Sequence, residues 1–351
     1  MNDYFHRVAA QSSTRLWINN ATPEQAESAL ERGAVGATTN PTYAARVLRE
    51  DSSATGLLEQ AVRETKSDGE AVDRFTMLAV ARLQAIYQPL YEESSGQFGF
   101  VAIQGDPRVN DDANAILAGA ARYCELGPNM IIKVPATPAG ARAMKELTAM
   151  NVPTIATLGF SVDQALYMAE AHREACRESG HNPPCFVTYI AGILDECLGE
   201  DAKNHEGAVP PEWVAQAGCQ GTRVAYRLYR ERGYGALLLG GGARETRHFS
   251  ELVGGHLHVT IGWSLADELA KAAAPVEERI NSDIDEEVEG ALSASLPNYR
   301  KASRVGQLQP EDFTQFCPVA AFQRSFLDAM DKMLERVRET RAKLKGEGGK
   351  S

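Results

Sequence analysis

Closely paired cysteines are missing from this sequence. Its 351 residues include six cysteines, and none of them belongs to a Cys-x-x-Cys pair. Disulfide-stapled secreted domains and structural zinc sites both depend on closely spaced cysteines. The sequence therefore argues against a disulfide framework and a zinc knuckle, and we expect reduced, mostly structural thiols.

An excess of positive charge and a long apolar run are missing as well. Lysine and arginine number 36 against 47 aspartates and glutamates, which gives a formal net charge of −11. Such a chain repels nucleic acid and anionic lipid on average. No apolar run approaches the roughly 18 residues of a membrane span, and the start, MNDYFHRVAAQSSTR, lacks the apolar core of a signal peptide. We therefore expect a cytoplasmic protein that binds neither nucleic acid nor membrane.

The common nucleotide and hydrolase motifs are absent. The glycine cluster at residues 240–242 does not read Gly-x-Gly-x-x-Gly, no Walker loop occurs, and no serine lies in Gly-x-Ser-x-Gly. The sequence predicts no cofactor.

Eight short apolar runs recur between residues 14 and about 260, with helical periodicity between them. Continuous apolar runs are typical of strands buried on both faces, and amphipathic segments between them are typical of crossover helices. Eight such units favour an α/β fold, a closed (β/α)8 TIM barrel, over the alternative of an open Rossmann-like sheet. The runs read TRLWIN, GAVGATT, FGFVAIQ, NMIIKVP, VPTIATL, PCFVTYI, GALLLG and LHVTIG.

Helical patterns extend beyond this barrel. We predict a single domain over residues 1–351, with the barrel at about 14–270 and a helical C-terminal extension at about 271–346. Two helices with no strand between them are predicted from about 53 to 92. The additional N- and C-terminal helices could cover the barrel or form a homodimer interface, and the sequence does not choose between these roles.

One cation stands out among the residues that close the apolar runs, where barrels place reactive groups. Lys133 is flanked by Ile131, Ile132, Val134 and Pro135. Burial of its ammonium group lowers the pKa and leaves part of the amine neutral, and a neutral amine attacks carbonyl groups to form a Schiff base. The alternative is a lysine that reaches solvent or pairs with a carboxylate such as Asp106.

Four segments, in order, resemble motifs of the transaldolase and fructose-6-phosphate aldolase family. They are GATTNP (36–41), QGDPR (104–108), MIIKVPAT (130–137) and TLGFS (157–161), within a resemblance that runs from about residue 14 to 270. The resemblance implies an α/β barrel, a class I mechanism without a metal, and Lys133 as the lysine that bonds to the ketose carbonyl carbon. The implied reaction moves or releases a three-carbon dihydroxyacetone unit of a sugar or sugar phosphate.

The resemblance also implies roles for other residues. Thr157 matches the threonine that helps to hold the catalytic water. Gln104 and Tyr189 match the fructose-6-phosphate aldolase branch, and with Thr157 they would position water and shuttle protons. The implied substrate-binding residues are Asn19, Asn40, Ser161 and Arg244, the last as the ligand of a distal anion.

Three positions depart from the family pattern. Asn19 stands where both branches have an aspartate that manages a substrate proton. Either another group, with Tyr189 and Asp106 as candidates, takes that proton, or the reaction differs from retro-aldol cleavage of the usual substrate. Gly192 stands where the family has a second phosphate-binding arginine, and Gly242 stands in place of a serine. These changes predict altered substrate choice.

Two alternatives stay open. Amides at Asn19 and Gln104, where transaldolases have carboxylates, allow a catalytically impaired sugar-binding protein. His256 and His258 have a spacing that places two imidazoles on one face of a strand, which would suit metal-assisted isomerase chemistry if they lay at the barrel mouth. They precede the end of the eighth run, so a structural role is favoured and no metal site is predicted.

Overall fold

The protein forms a closed barrel of eight parallel strands that follow one another in chain order. The computed structural model describes residues 3–203, 209–272 and 274–348. Each strand matches one of the eight apolar runs, with only β7 extending one residue beyond its run, so the predicted (β/α)8 barrel is confirmed. The strands are β1 (Arg15–Asn19), β2 (Ala34–Thr38), β3 (Phe100–Gln104), β4 (Met130–Pro135), β5 (Thr154–Thr157), β6 (Cys185–Ile190), β7 (Leu237–Gly241) and β8 (His258–Gly262).

Helices surround the barrel and begin at residues suited to capping. Thr22 and Gln25 form a reciprocal capping box at one helix start, and Thr137 caps another just before Pro138. The helices up to residue 271 are α1 (Tyr4–Gln11), α2 (Pro23–Glu31), α3 (Thr42–Glu50), α4 (Ala54–Glu64), α5 (Asp68–Glu93), α6 (Ala113–Cys124), α7 (Pro138–Ala149), α8 (Val162–Ser179), α9 (Ala191–Lys203), α10 (Pro211–Val214), α11 (Ala217–Arg232), α12 (Arg247–Ser250) and α13 (Trp263–Lys271).

The two faces of the strands belong to different cores. One small cluster, which we call the inner cluster, brings together side chains from different strands. Five of its members, from five strands, are Trp17, Ile131, Ile155, Phe186 and Leu239. Only the barrel interior lets side chains of so many strands meet, so these residues mark the inner face of each strand. The larger cluster joins the outer faces of the strands to the helices. A residue two positions further along a strand lies on the same face. The inward residues named above therefore identify which side chains face inward at the barrel mouth.

The C-terminal extension is helical, as predicted, and continues with α14 (Glu286–Ser295), α15 (Pro297–Ser303), a 3-10 helix (Pro310–Gln315) and α16 (Cys317–Gly348). The last helix crosses the end of the barrel at which the strands finish. Gln323 donates to the carbonyl of Pro107, just after β3, at 2.6 Å, and Phe322 packs edge-on against Phe160, just after β5. Further along, Arg341 donates to the carbonyls of Val62 and Thr65. Because it makes these contacts, α16 covers part of the barrel mouth.

Among the described residues, we find no helix with both the length and the apolar character that a bilayer crossing requires.

Candidate functional site

The last inward-facing side chains of the strands form a polar layer, which we call the mouth ring. Asn19 lies two residues after Trp17, and Lys133, Thr157 and Thr188 each lie two residues after a member of the inner cluster. The resulting set is neutral apart from one lysine. The mouth ring consists of Asn19, Thr38, Gln104, Lys133, Thr157, Thr188 and Thr260.

Lys133 has the environment that the sequence predicted for a nucleophile. Its side chain is 9% exposed, and its Nζ donates to the carbonyl oxygen of Thr39 at 3.0 Å. Burial lowers the pKa of Lys133 to about 7. Asp106 pairs instead with Arg108, and no described carboxylate forms an ion pair with Lys133. The two alternatives, a solvated lysine and an ion-paired lysine, are therefore not what the structure shows.

Gln104 lies beside this lysine on the neighbouring strand. The two residues are partners in the register of β3 and β4. Gln104 is 6% exposed, and neither its Oε1 nor its Nε2 has a hydrogen-bond partner within the described protein. Buried amide groups are usually paired, so this carboxamide is equipped to bind a water molecule or a polar group of a ligand.

A cavity of about 730 Å³ contains both Lys133 and Gln104 in its wall. Its wall also includes Asp106 and residues of α5 and α6. Met330 and Met333 of α16 complete its wall. The candidate nucleophile therefore lies in the wall of a cavity large enough for a small metabolite.

Asn19 takes part in a chain of hydrogen bonds across the mouth ring. The Thr38 hydroxyl donates to Oδ1 of Asn19 at 3.0 Å and lies 2.7 Å from the Thr260 hydroxyl. Since the Thr38 hydrogen is used on Asn19, Thr260 must donate to Thr38. This occupies the amide oxygen of Asn19 and leaves its NH2 group to meet a ligand. Asn19 is thus a hydrogen-bond donor at a position where the family has an acceptor.

Asn40 organises the turn between β2 and α3. Its Oδ1 accepts from the backbone N–H and the hydroxyl of Thr42, at 2.9 and 2.6 Å, and from Nδ2 of Asn20 at 3.1 Å. Asn20 has a positive φ of 50°, a conformation that asparagine tolerates. The oxygen of Asn40 is therefore committed to the turn, and its NH2 group is the part of the side chain left for a ligand.

Two residues implied by the resemblance point away from the mouth ring. The hydroxyl of Tyr189 donates to the carbonyl of Ala302 at 3.2 Å, and a Cβ on Gly221 of α11 would lie 2.0 Å from it. Tyr189 therefore faces the helices, and Thr188 takes the inward position on β6. Burial raises the pKa of Tyr189, which also suits a structural phenol. The role predicted for Tyr189, to position water and shuttle protons, stays a prediction, and the alternation of side chains along β6 directs its hydroxyl toward the helices in this structure.

Ser161 is the second of these two implied residues. It is fully buried, its Oγ accepts from the backbone N–H of Gln164 at 3.1 Å, and it donates to Oε1 of the same residue at 3.2 Å. These bonds make Ser161 the N-cap of α8. Its hydroxyl serves the helix start and is not available to a ligand.

Arg244 lies outside the cavity. Its Nε donates to Glu196 at 2.6 Å, and the residue is not part of the cavity wall. A Cβ on Gly192 would come within 2.4 Å of the carbonyl oxygen of Gly242 and 2.9 Å of the nitrogen of Arg244. The close backbone approach explains the glycine and leaves no room for a second arginine there.

A buried hydrogen bond between a histidine and an aspartate, which sequence reasoning did not identify, holds the same loop. His248 is 2% exposed, and its Nδ1 accepts from the backbone nitrogen atoms of Arg244 and Glu245 at 3.3 and 3.1 Å. Its Nε2–H can then donate to Asp195, 2.9 Å away. Burial raises the pKa of Asp195, with His248 opposing the shift. The spacing of these two residues, 53 positions apart, offered no signal in the sequence.

The two histidines of the eighth run do not form a metal site. His258 opens β8 at the far end of the barrel from Lys133, and its Nδ1 accepts from the indole nitrogen of Trp17 at 2.8 Å. Burial lowers the pKa of His258 to about 3. His256 precedes the strand and is exposed. Within the described ranges no cluster of three or more metal-ligating side chains occurs.

Comparisons with known proteins agree on one family. A model described as Transaldolase/Fructose-6-phosphate aldolase matches residues 16–316. Curated relatives include "Transaldolase" of Acidothermus cellulolyticus, 26% identical over 66% of this chain and 66% of the relative, and "Transaldolase 1" of Streptomyces avermitilis, 29% identical over 62% and 61%. "Transaldolase" of Kocuria rhizophila is 29% identical over 56% of each chain. The chain thus spans about two thirds or less of the length of these relatives.

Likeness to solved structures is weak. A putative phosphonomutase from Burkholderia cenocepacia J2315 aligns with a TM-score of 0.31 and 12% identity, over 75% of this chain and 92% of that one. Likeness at this level carries no argument about function.

Proposed function

Because this chain belongs to the transaldolase and fructose-6-phosphate aldolase family, we propose that it is a transaldolase-like enzyme that uses Lys133 as a Schiff-base nucleophile. Its substrate would be a ketose or ketose phosphate, from which it moves or releases a three-carbon dihydroxyacetone unit. The observation that carries the proposal is a buried lysine, unpaired with any described carboxylate, in the wall of a cavity. The names of the relatives and the family match favour an enzyme over a binding protein that lacks activity.

The first step needs a neutral amine. Lys133 has a pKa of about 7, so a substantial fraction of it carries a lone pair at neutral pH. The amine attacks the ketone carbon, water leaves, and a protonated imine forms. Gln104, beside Lys133, and Thr157, at the end of the next strand, would hold the water that later hydrolyses the imine.

The second step breaks a C–C bond. Its electron pair moves into the imine and gives an enamine, while the hydroxyl proton of the departing aldehyde passes to a base. Tyr189 faces away and Asn19 is an amide, so we assign this proton to Asp106. Asp106 lines the same cavity, and Arg108 holds its carboxylate through Nε at 2.9 Å. The NH2 groups of Asn19 and Asn40 would bind substrate hydroxyls.

Borohydride trapping tests the proposal. The protein is incubated with dihydroxyacetone or fructose 6-phosphate, reduced, digested and mapped by mass spectrometry. We expect the reduced adduct at Lys133 in the wild type, none there in Lys133→Met, and an undiminished Lys133 adduct in the matched variant Lys271→Met, which changes a lysine paired with Asp267 on α13. Absence of a Lys133 adduct with every ketose tried would overturn the proposal. Product formation with and without an aldehyde acceptor then separates transfer from cleavage.

A further inference from the structure

Part of the wall of the cavity that contains Lys133 comes from a segment outside the family match. The match ends at residue 316, and α16 begins at Cys317. Met330 and Met333 of this helix lie three residues apart, so they share one face. They are 8% and 1% exposed, and both line the cavity. The wall opposite the barrel is therefore supplied by residues that the family model does not describe.

The neighbouring wall is also apolar. Val72 and Met77 of α5 and Ile116 of α6 line the cavity beside the two methionines. Val72 and Met77 are 3% and 7% exposed. Methionine side chains are flexible and adapt to aliphatic groups of different shapes. A ligand that extends from Lys133 toward α16 therefore meets a cluster of aliphatic side chains in this part of the wall.

The charges around this cavity do not favour an anion. Besides Lys133 it is lined by three cations and four carboxylates. Arg74 pairs with Glu64 at 2.6 Å and Arg122 with Asp73 at 2.9 Å, while the charge of exposed Lys66 acts on Glu70. A phosphate favours a surplus of positive charge, and with Lys133 the lining holds four cations against four carboxylates, so it provides no such surplus. The three cations are Lys66, Arg74 and Arg122, and the carboxylates are Glu64, Glu70, Asp73 and Asp106.

We propose that the aldehyde acceptor lies against Met330 and Met333, and that these residues make the protein prefer uncharged aldehydes with an aliphatic chain to phosphorylated ones. The inference rests on the proposed function and names the substrate class of the same site. The enamine carbon on Lys133 bonds to the aldehyde carbon, the aldehyde oxygen takes up a proton, and water releases the product ketose. The step is redox-neutral and needs no further co-reactant.

An acceptor series tests this inference. With dihydroxyacetone as the donor, kcat/KM is measured for butanal, hexanal, glyceraldehyde and glyceraldehyde 3-phosphate. We expect hexanal to exceed glyceraldehyde 3-phosphate by about tenfold, because aliphatic groups in an apolar pocket give discrimination of this order. A preference for glyceraldehyde 3-phosphate, with the Lys133 adduct intact, would overturn the inference and leave the proposed function standing. If no adduct forms, the proposed function fails and the inference fails with it.

Variants locate the preference at α16. Met333→Gln and Met330→Gln keep the side-chain size and add polarity. Each should lower kcat/KM for hexanal at least about fivefold and leave trapping with dihydroxyacetone unchanged. Met150→Gln, at a 64% exposed methionine, is the matched control and should change neither value. Equal losses for hexanal and glyceraldehyde would contradict a specificity role, and the wild-type series decides the question even if a variant does not fold.

Discussion

The ε-amine of Lys133 donates to the carbonyl oxygen of Thr39, 3.0 Å away. Lys133 lies on β4 and Thr39 directly follows β2, so the side chain reaches across β3 inside the mouth of the barrel. A carbonyl group fixes the nitrogen without supplying the negative charge that would keep it protonated. The neutral amine can therefore donate one hydrogen to Thr39 and direct its lone pair at a ketone.

We predict that imine formation follows the lowered pKa of this lysine. The rate of reductive trapping by dihydroxyacetone should rise with pH and reach half its maximum near pH 7, because only the neutral amine attacks. A lysine with an ordinary pKa would give a midpoint near pH 10.5. The measurement is the adduct yield at short times between pH 5.5 and 9.5. A midpoint above pH 9 would show that Lys133 is solvated or ion-paired in solution.

Lys133→Met should increase the free energy of unfolding. Between pH 7 and 10.5 the unfolded lysine binds a proton that the folded lysine lacks, so this residue makes stability rise with pH across that window. Its destabilising effect is complete below pH 7, where the buried site must hold the charge. We expect the free energy of unfolding of Lys133→Met to exceed that of the wild type by roughly 1–4 kcal/mol at pH 6. The rise of stability with pH that Lys133 causes should be absent from this variant. Urea unfolding at several pH values measures both effects, and Lys271→Met should match the wild type.

The apolar runs predicted the barrel because each strand is buried on both faces and leaves a continuous pattern in the sequence. The same continuity hides which residues face inward, since both faces of β6 are apolar or neutral. Motif matching therefore selected Tyr189, whereas the inner cluster around Phe186 places Thr188 inside. Lys133 was predicted as the nucleophile because a charged residue within a buried apolar run has few structural explanations.

Other parts of the site had no local signal. The sequence around Ser161 suits a ligand-binding residue and a helix cap equally well. Only its hydrogen bonds to Gln164 identify it as a cap. Met330 and Met333 lie more than 190 residues after Lys133 on a helix whose pattern shows an apolar face but not what it covers. The cavity wall includes residues of α16 and not Arg244, and this depends on long-range packing. The single-domain division and the homodimer stay predictions.

Tyr189→Phe should leave catalysis nearly unchanged. The phenol bonds to the carbonyl of Ala302 among the outer helices, so its removal costs one buried hydrogen bond, about 1 kcal/mol of stability. We expect trapping at Lys133 and the rate of aldol turnover to stay within about twofold of the wild type. A loss of 100-fold or more, the size expected for a proton-transfer group, would instead restore the role that the family resemblance implies.

Asn19→Asp should increase cleavage of sugar substrates. One carboxylate oxygen can keep the bond from Thr38, and the other replaces the NH2 donor with a base inside the mouth ring. A positioned base commonly contributes 100-fold or more, and we expect an increase of at least about tenfold in retro-aldol rate with fructose 6-phosphate. The new charge near the mouth ring should also raise the pKa of Lys133 and move the trapping midpoint upward.

Asn151→Asp is the matched control for this change. Asn151 is exposed, lies beyond α7, and has a positive φ of 58° that aspartate also tolerates, so it adds the same charge at the surface. Its retro-aldol rate should equal that of the wild type. If Asn19→Asp shifts the trapping midpoint but not the cleavage rate, the carboxylate is present and does not act as the base. Proton removal would then stay with Asp106, and Asp106→Asn should abolish cleavage while leaving imine trapping intact.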